Sequence, residues 1–386
     1  MSSSLDRRGF LKASGLAAAG TLALPTVSFA RTMPGFKTKH VILIAFAGGV
    51  RARDTVGSPE NAPNLARLAQ KGVVFPNTEA ANLGHYGATL SIFTGIPEYM
   101  GIRDNARGFN PTIFEYLRQG QSLPASDVWL STNNGAQGVN FAYGLHRKYG
   151  SQYGANVIDG DGLFNEEFRE VLGQFGRPKN DKESEAAALA RLRGAVKDGP
   201  AVAGSNEALN DATTAARVEK YILQELSQDG TTRITGPGAG DAKALNVAGR
   251  ILQLFRPSLL GISLSNADVA HGSYNAYVDV IRRNDQELGR ILDIVEQDPE
   301  LAESTSFFIL PEFGRDRDLN NRNGLDHGDG TPDLRRVSCV ATGPDFEVGK
   351  VEDAAVKTID VCPTICKLFG VKPSVARGKP LPKLFA

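Results

Sequence analysis

Residues 41–46 read VILIAF, apolar at every position, and the run stops at Gly48-Gly49. A strand with one face in water alternates apolar and polar residues, whereas an unbroken apolar run is the pattern of a strand buried on both faces. Such a strand belongs in the middle of a parallel sheet, and that sheet needs helices on both sides. The chain supplies both parts. Further β-type runs follow at Asp127-VWLST, Ser258-LLGISLS, Ser306-FFILP and Arg336-VSCVATG, with helical patterns over 62–71, 111–119, 276–296 and 361–369. Strands alternating with helices predict a doubly wound, mostly parallel α/β sheet.

Two regions depart from that pattern. Residues of about 149–237 are polar, Gly-rich at their ends and without strand alternation, so they are expected to form a helical insertion or cap on a domain spanning 31–386. Residues 1–30 carry Arg7-Arg8, then an apolar stretch from Gly15 to Leu24, and finish on Ser28-Phe29-Ala30. This is the pattern of a twin-arginine signal peptide cleaved after Ala30, which implies a periplasmic or secreted protein. A basic amphipathic helix is the alternative reading. The apolar stretch is too short for a stable membrane span.

Lys and Arg together number 43, as do Asp and Glu, so the net charge is zero and no footprint for nucleic acid or an anionic membrane is present. The three cysteines (Cys339, Cys362, Cys366) have neither an even count nor zinc-finger spacing, and are expected to be buried free thiols.

Ligands of α/β proteins gather at the carboxyl ends of strands. Three polar clusters follow predicted strands here: Ser265 to His271, Glu312 to Asp316, and Asp326-His327 with Asp329 in the next loop. Of five histidines, His271 and His327 fall in these clusters, and His85 opens the segment NLGHYGATLSIFTG. Imidazoles with carboxylates form the usual ligand set for Zn²⁺ and similar ions. Each residue also has a structural reading. Asp268 and His271 could cap the following helix, Asp326-His327 could be turn chemistry, Glu312 could pair with Arg315, and His85 could bond backbone at a helix start.

The order of these motifs resembles the alkaline phosphatase superfamily. The resemblance rests on the strand VILIAF, the segment PNLARLAQKGVVF from Pro63, the helix ending Thr94-Gly95, and the closing Thr358-IDVCPTICKLFG. It covers 41–94 and about 256–381, not the insertion. Glu312-Phe-Gly-Arg315 with Asp326-His327 also resembles a pattern in twin-arginine-exported, sulfatase-like proteins.

In that superfamily a Thr, Ser or Cys nucleophile stands nine residues before the Thr of the Thr-Gly pair; here that place holds His85. The resemblance implies one metal site on Asp268, His271 and His327, with Asp-to-His spacing of three rather than four. It implies a dismantled second site, with Ala47 for the first-strand Asp and Glu312-Phe313 for an Asp-His pair. Tyr86, Thr89 and Ser91 lie near His85, but Thr89 and Ser91 fall inside the helix pattern, out of register for a nucleophile.

The expected cofactor is a divalent metal, one Zn or Mn, with His85 and Glu312 as catalytic candidates for direct attack by water. The expected partner is a small-molecule or polymer-linked anionic ester, phosphate or sulfate. A non-catalytic member that binds an anion, glycan or protein and an envelope group transferase are the alternative functions.

Overall fold

A computed structural model describes residues 34–100, 106–133, 136–159 and 234–386. The signal-peptide reading and most of the expected insertion lie outside the described residues.

The run VILIAF forms β1 (His40–Phe46), buried at every position. The other strands are β2 (Val73–Glu79), β3 (Val128–Thr132), β4 (Asn156–Asp159), β5 (Leu259–Leu264), β6 (Thr305–Pro311), β7 (Arg336–Thr342), β8 (Lys350–Val351) and β9 (Val356–Lys357). Among the described residues they make one nine-stranded sheet in the order β4-β3-β5-β1-β6-β7-β2-β8, with β9 also on β2. β1 lies parallel between β5 and β6, with Val41 opposite Leu259 on one side and Ser306 on the other. Among these described strands, only β7 runs antiparallel to its neighbours. The predicted doubly wound, mostly parallel α/β sheet is what forms.

Alternation along β1 divides the core in two. Val41, Leu43 and Ala45 face one hydrophobic cluster; Ile42, Ile44 and Phe46 face the other. The first is closed by α2 (His85–Thr94), α3 (Ile113–Gln121) and α6 (Val361–Leu368). The second is closed by α1 (Pro63–Gln70), α4 (Ala239–Phe255) and α5 (Tyr274–Gln297). With helices on both faces, the central strands have no reason to alternate in polarity, which is why they read as unbroken apolar runs. Cys339, Cys362 and Cys366 are buried free thiols, as expected.

Two elements escaped the sequence reading. β4 lies inside the stretch taken as insertion and extends the sheet parallel to β3, so the core runs on to Asp159. Helix α4 begins inside Thr235-GPGAGD, which reads as a turn, and its buried positions include Ala242, Ala244, Ala248 and Gly249. Small residues weaken an apolar stripe in sequence while letting a helix pack closely.

Helix α3 shows how buried polar groups are satisfied. Its Thr112–Glu115 capping box closes the first turn. The Glu115 carboxylate also serves the adjoining loop, accepting from the backbone N–H of Thr112 at 2.7 Å, Gly144 at 2.8 Å and Gly150 at 2.7 Å. Burial pushes Glu115 up to about 7 in spite of these donors. Replacing Glu115 with Gln would turn an NH₂ toward backbone N–H groups that need an acceptor. Glu115→Gln is expected to lower unfolding free energy by about 1–3 kcal/mol in denaturant titration; an unchanged midpoint would contradict this account.

Candidate functional site

The adjacent strands β5, β1 and β6 end side by side, and the polar clusters follow those ends. Backbone bonds lock the ends together: Ala47 N–H donates to Leu264 O at 2.6 Å, and Glu312 N–H to Phe46 O at 3.1 Å. Close approach explains Gly48. A Cβ there would lie 2.6 Å from the Asp268 nitrogen and 2.7 Å from Ser265 O, so only glycine lets β1 pass beneath the next turn.

After β5 the chain enters a 3₁₀ turn, Asn266–His271, that carries Asp268 and His271. Its start is fixed by Asp241, fully buried at the head of α4, which accepts from Asn266 N–H at 3.0 Å, Asn133 Nδ2 at 2.8 Å and Asn284 Nδ2 at 2.7 Å. Burial raises Asp241 to about 6 despite these bonds. The cap of α5 is Ser273, whose hydroxyl accepts from Ala276 N–H at 3.2 Å. Asp268 and His271 therefore do not cap that helix.

The loop after β6 returns over the site. Asp316 Oδ1 accepts from Gly328 N–H at 2.7 Å and Asp329 N–H at 2.9 Å, which bracket His327 from its C-terminal side. Arg51, held by Asp54 at 2.6 Å, donates to the carbonyls of Asp316 at 3.1 Å and Arg317 at 2.9 Å. Leu325 N–H donates to Ala270 O at 2.6 Å, tying the loop to the 3₁₀ turn.

Asp268, His271, His327, His85 and Glu312, named from sequence, converge in this space. His85, the first residue of α2, has Nδ1 2.6 Å from Glu312 Oε1 and 3.2 Å from Ala47 O. Its Nε2 lies 3.1 Å from Asp268 Oδ1 and has no hydrogen-bond partner of good geometry. His271 Nδ1 bonds Asp326 Oδ1 at 2.6 Å, and its Nε2 is 3.3 Å from Asp268 Oδ1. The His327 ring lies 4.9 Å from that of His85 and 5.0 Å from that of His271, centroid to centroid, with Phe313 packed beneath at 5.2 Å. Thr89 donates its hydroxyl to Glu312 Oε2, and Ser91 donates to Gly87 O at 2.6 Å. Both hydroxyls are spent within the fold.

Sequence reasoning named two further participants but gave them other roles. Arg315 does not form the local ion pair with Glu312. Its guanidinium is fully buried and reaches Asp268 Oδ1 at 2.5 Å and His271 Nε2 at 3.0 Å. Asp326 serves as the acceptor that orients His271 rather than as turn chemistry. No sequence signal pairs residues so far apart.

The charges follow from this packing. Burial opposes a charge on His85, but Glu312 and Asp268 outweigh it and raise the imidazole to about 10. Glu312 is pushed up to about 7 by burial, against the pull of His85, so the shared proton sits on the ring at neutral pH. Burial works against the Asp268 anion, yet His85 and Arg315 hold its carboxyl well below the usual range. Burial first, then the charges of His85 and Arg315, lower His327 to about 4, leaving it neutral.

The donor set suits a divalent ion. One ligand atom each from His85, His271 and His327 lie within 4.8 Å of one another. Tetrahedral Zn²⁺ with bonds of about 2.0–2.1 Å sets its ligand atoms about 3.3 Å apart, and the Asp268 contact to His271 Nε2, at 3.3 Å, matches that edge. Both rings are anchored to carboxylates through Nδ1, the usual outer support for a metal-binding imidazole.

Among solved structures, the chain is similar to a mutant form of the alkaline phosphatase PafA, at 10% identity over 91% of this chain and 99% of that one, with a TM-score of 0.58. It is similar to a putative sulfatase from Bacteroides thetaiotaomicron at 12% identity, covering 90% and 74% of the two chains, with a TM-score of 0.53. A 2-O GAG sulfatase matches at 12% identity over 89% and 73%, with a TM-score of 0.52. No family model and no curated protein matches the chain.

Imidazole ¹⁵N spectra of metal-free protein test the charge assignment. His85 is expected to stay doubly protonated beyond pH 9 and His327 to stay neutral below pH 5, given values of about 10 and about 4. Titration of both rings near the unperturbed value of about 6.5 would refute it.

Proposed function

We propose that this chain, whose fold is that of the alkaline phosphatase superfamily, is an exported hydrolase of phosphate or sulfate esters that uses a single divalent metal. The observation that carries the reading is the convergence of two carboxylate-anchored imidazoles, His85 and His271, with His327 around Asp268. Asp268, His271 and His327 are the proposed ligands, with His85 alongside and Zn or Mn the proposed ion. When bound, such an ion supplies Lewis-acid polarisation of an ester oxygen and eases ionisation of water.

The chain's own groups supply the proton chemistry. Glu312 fixes the Nδ1–H of His85, so Nε2 is the atom turned toward the site. As an imidazolium it can give a proton to a departing ester oxygen. Glu312 keeps the ring charged until that transfer. Thr89 and Ser91 are engaged in bonds of their own, which favours direct displacement by water over a covalent ester on the protein. The cations of Arg315 and His85 favour an anionic substrate, free or polymer-linked.

Export by the twin-arginine route to the periplasm or beyond belongs to the same proposal, on the strength of Arg7-Arg8 and the apolar stretch after them. Among the described residues, no helix is long and apolar enough to cross a membrane.

A second reading, a non-catalytic binder of anions or glycans, is favoured by Arg315 lying on Asp268 and His271. Metal analysis and assay separate the two. Protein equilibrated with excess Zn²⁺ or Mn²⁺ and then desalted should retain about one ion per chain and cleave aryl phosphates or sulfates. His271→Ala and His327→Ala should lose both properties. Folded protein that takes no metal and is inert toward both ester classes would sink the hydrolase reading. His85→Asn should cut turnover by about a hundredfold or more; unchanged turnover would remove His85 from the mechanism.

A further inference from the structure

Arg315 is among the largest side chains that the fold encloses completely. Its guanidinium has five N–H donors in a rigid fork, and each has a receiver. Nε donates to Gly49 O at 3.3 Å; one terminal nitrogen donates to Gly48 O and to Asp268 Oδ1; the other donates to Leu325 O at 3.3 Å and to His271 Nε2 at 3.0 Å. Three receivers are backbone carbonyls, which an arginine in this place would need in any case. The other two are functional side chains.

The His271 contact fixes a tautomer. Nδ1 lies 2.6 Å from the carboxylate of Asp326, which only accepts, so the ring proton is on Nδ1. Nε2 therefore carries the lone pair, and Arg315 donates into it. That lone pair is the one a metal ion would use, and an N–H and an ion cannot share it. Asp268 Oδ1 is contested in the same way. The guanidinium neutralises the carboxylate that would otherwise attract a divalent cation, and it cannot lose its charge by deprotonation.

We propose that Arg315 is a resident cation that competes with a divalent ion for Asp268 and His271, and so sets how tightly this site takes metal. The inference rests on the metal-centre reading given under Proposed function. It makes loading an exchange. The ion breaks two guanidinium bonds, while the carbonyls of Gly48, Gly49 and Leu325 keep the positive group close by. The site then binds metal more weakly than its donors alone would, and Arg315 acts through the ligands as a positioning residue.

The test is metal titration of the full chain, stripped with chelator, with Zn²⁺ followed by calorimetry and Co²⁺ by its visible absorption. Arg315→Met keeps an unbranched apolar side chain without charge; Arg315→Gln keeps an NH₂ donor for the backbone carbonyls. Both should bind metal about tenfold to a hundredfold more tightly than wild type, the same size as the effect that supporting groups bonded to metal ligands have on affinity, but of opposite sign. Adding His271→Ala to either should abolish the gain. A merely structural arginine would give the opposite result, because loosening the site weakens binding.

Should both variants fail to fold, the wild type still decides. Its Arg315 guanidinium ¹⁵N resonances should move in step with metal loading, and unmoved resonances in a loaded protein overturn the inference. Wild type binding as tightly as the variants, or more tightly, overturns it while leaving the metal centre intact. Absence of binding in wild type and in folded variants overturns both.

Discussion

A guanidinium with no exposure to water is costly unless every donor finds an acceptor. Arg315 meets that demand with the carbonyls at the end of β1, the loop carbonyl of Leu325 and the side chains of Asp268 and His271. Much of the local architecture follows. β1 must end in a segment whose carbonyls turn inward, the 3₁₀ turn must sit directly over Gly48, and the loop after β6 must fold back to close the far side. Removing one of these acceptors would leave a buried charge underpaired, so these three pieces depend on one another.

Around that cation the ionisable groups are ordered by proximity. Carboxylates and charged bases alternate, with Glu312, His85, Asp268 and Arg315 forming a chain of opposite signs, and His327 beside it kept uncharged by burial and by its cationic neighbours. Such alternation permits several charges at close range in a half-buried space. It also leaves the site balanced in charge before any ligand arrives. An ion or an oxyanion must therefore replace an existing contact rather than fill a gap.

The central sheet was legible because burial on both faces leaves a direct trace, the unbroken run at 41–46, and because α1, α3, α5 and α6 present clear apolar stripes. β4 was hidden by its shortness and its opening Asn156, and α4 by its small residues. Asp268, His271, His327, His85 and Glu312 could be named as a group because each follows a strand end or opens a helix in a recognisable motif. The partner of Arg315 could not be. Three residues of spacing suggested Glu312, but a loop past a strand end has no helical period to bring such neighbours together. The choice of acceptor is made by the 3₁₀ turn brought in beside it. Asp326 was likewise placed in the right cluster without its role, since what it touches is set by how the loop folds back.

The central strand pairs only with segments much later in the chain, Val41 with Leu259 and with Ser306. Its immediate successors in sequence, β2 and β3, lie elsewhere in the sheet. During synthesis this apolar strand therefore emerges long before either neighbour exists. Closing such distant contacts carries a high entropic barrier, so folding is expected to be slow and the unpaired edges of β1 exposed to aggregation while it waits. The part of the molecule that defines its architecture is thus the part that most needs protection, by a chaperone or by transient local structure, until β5 and β6 arrive.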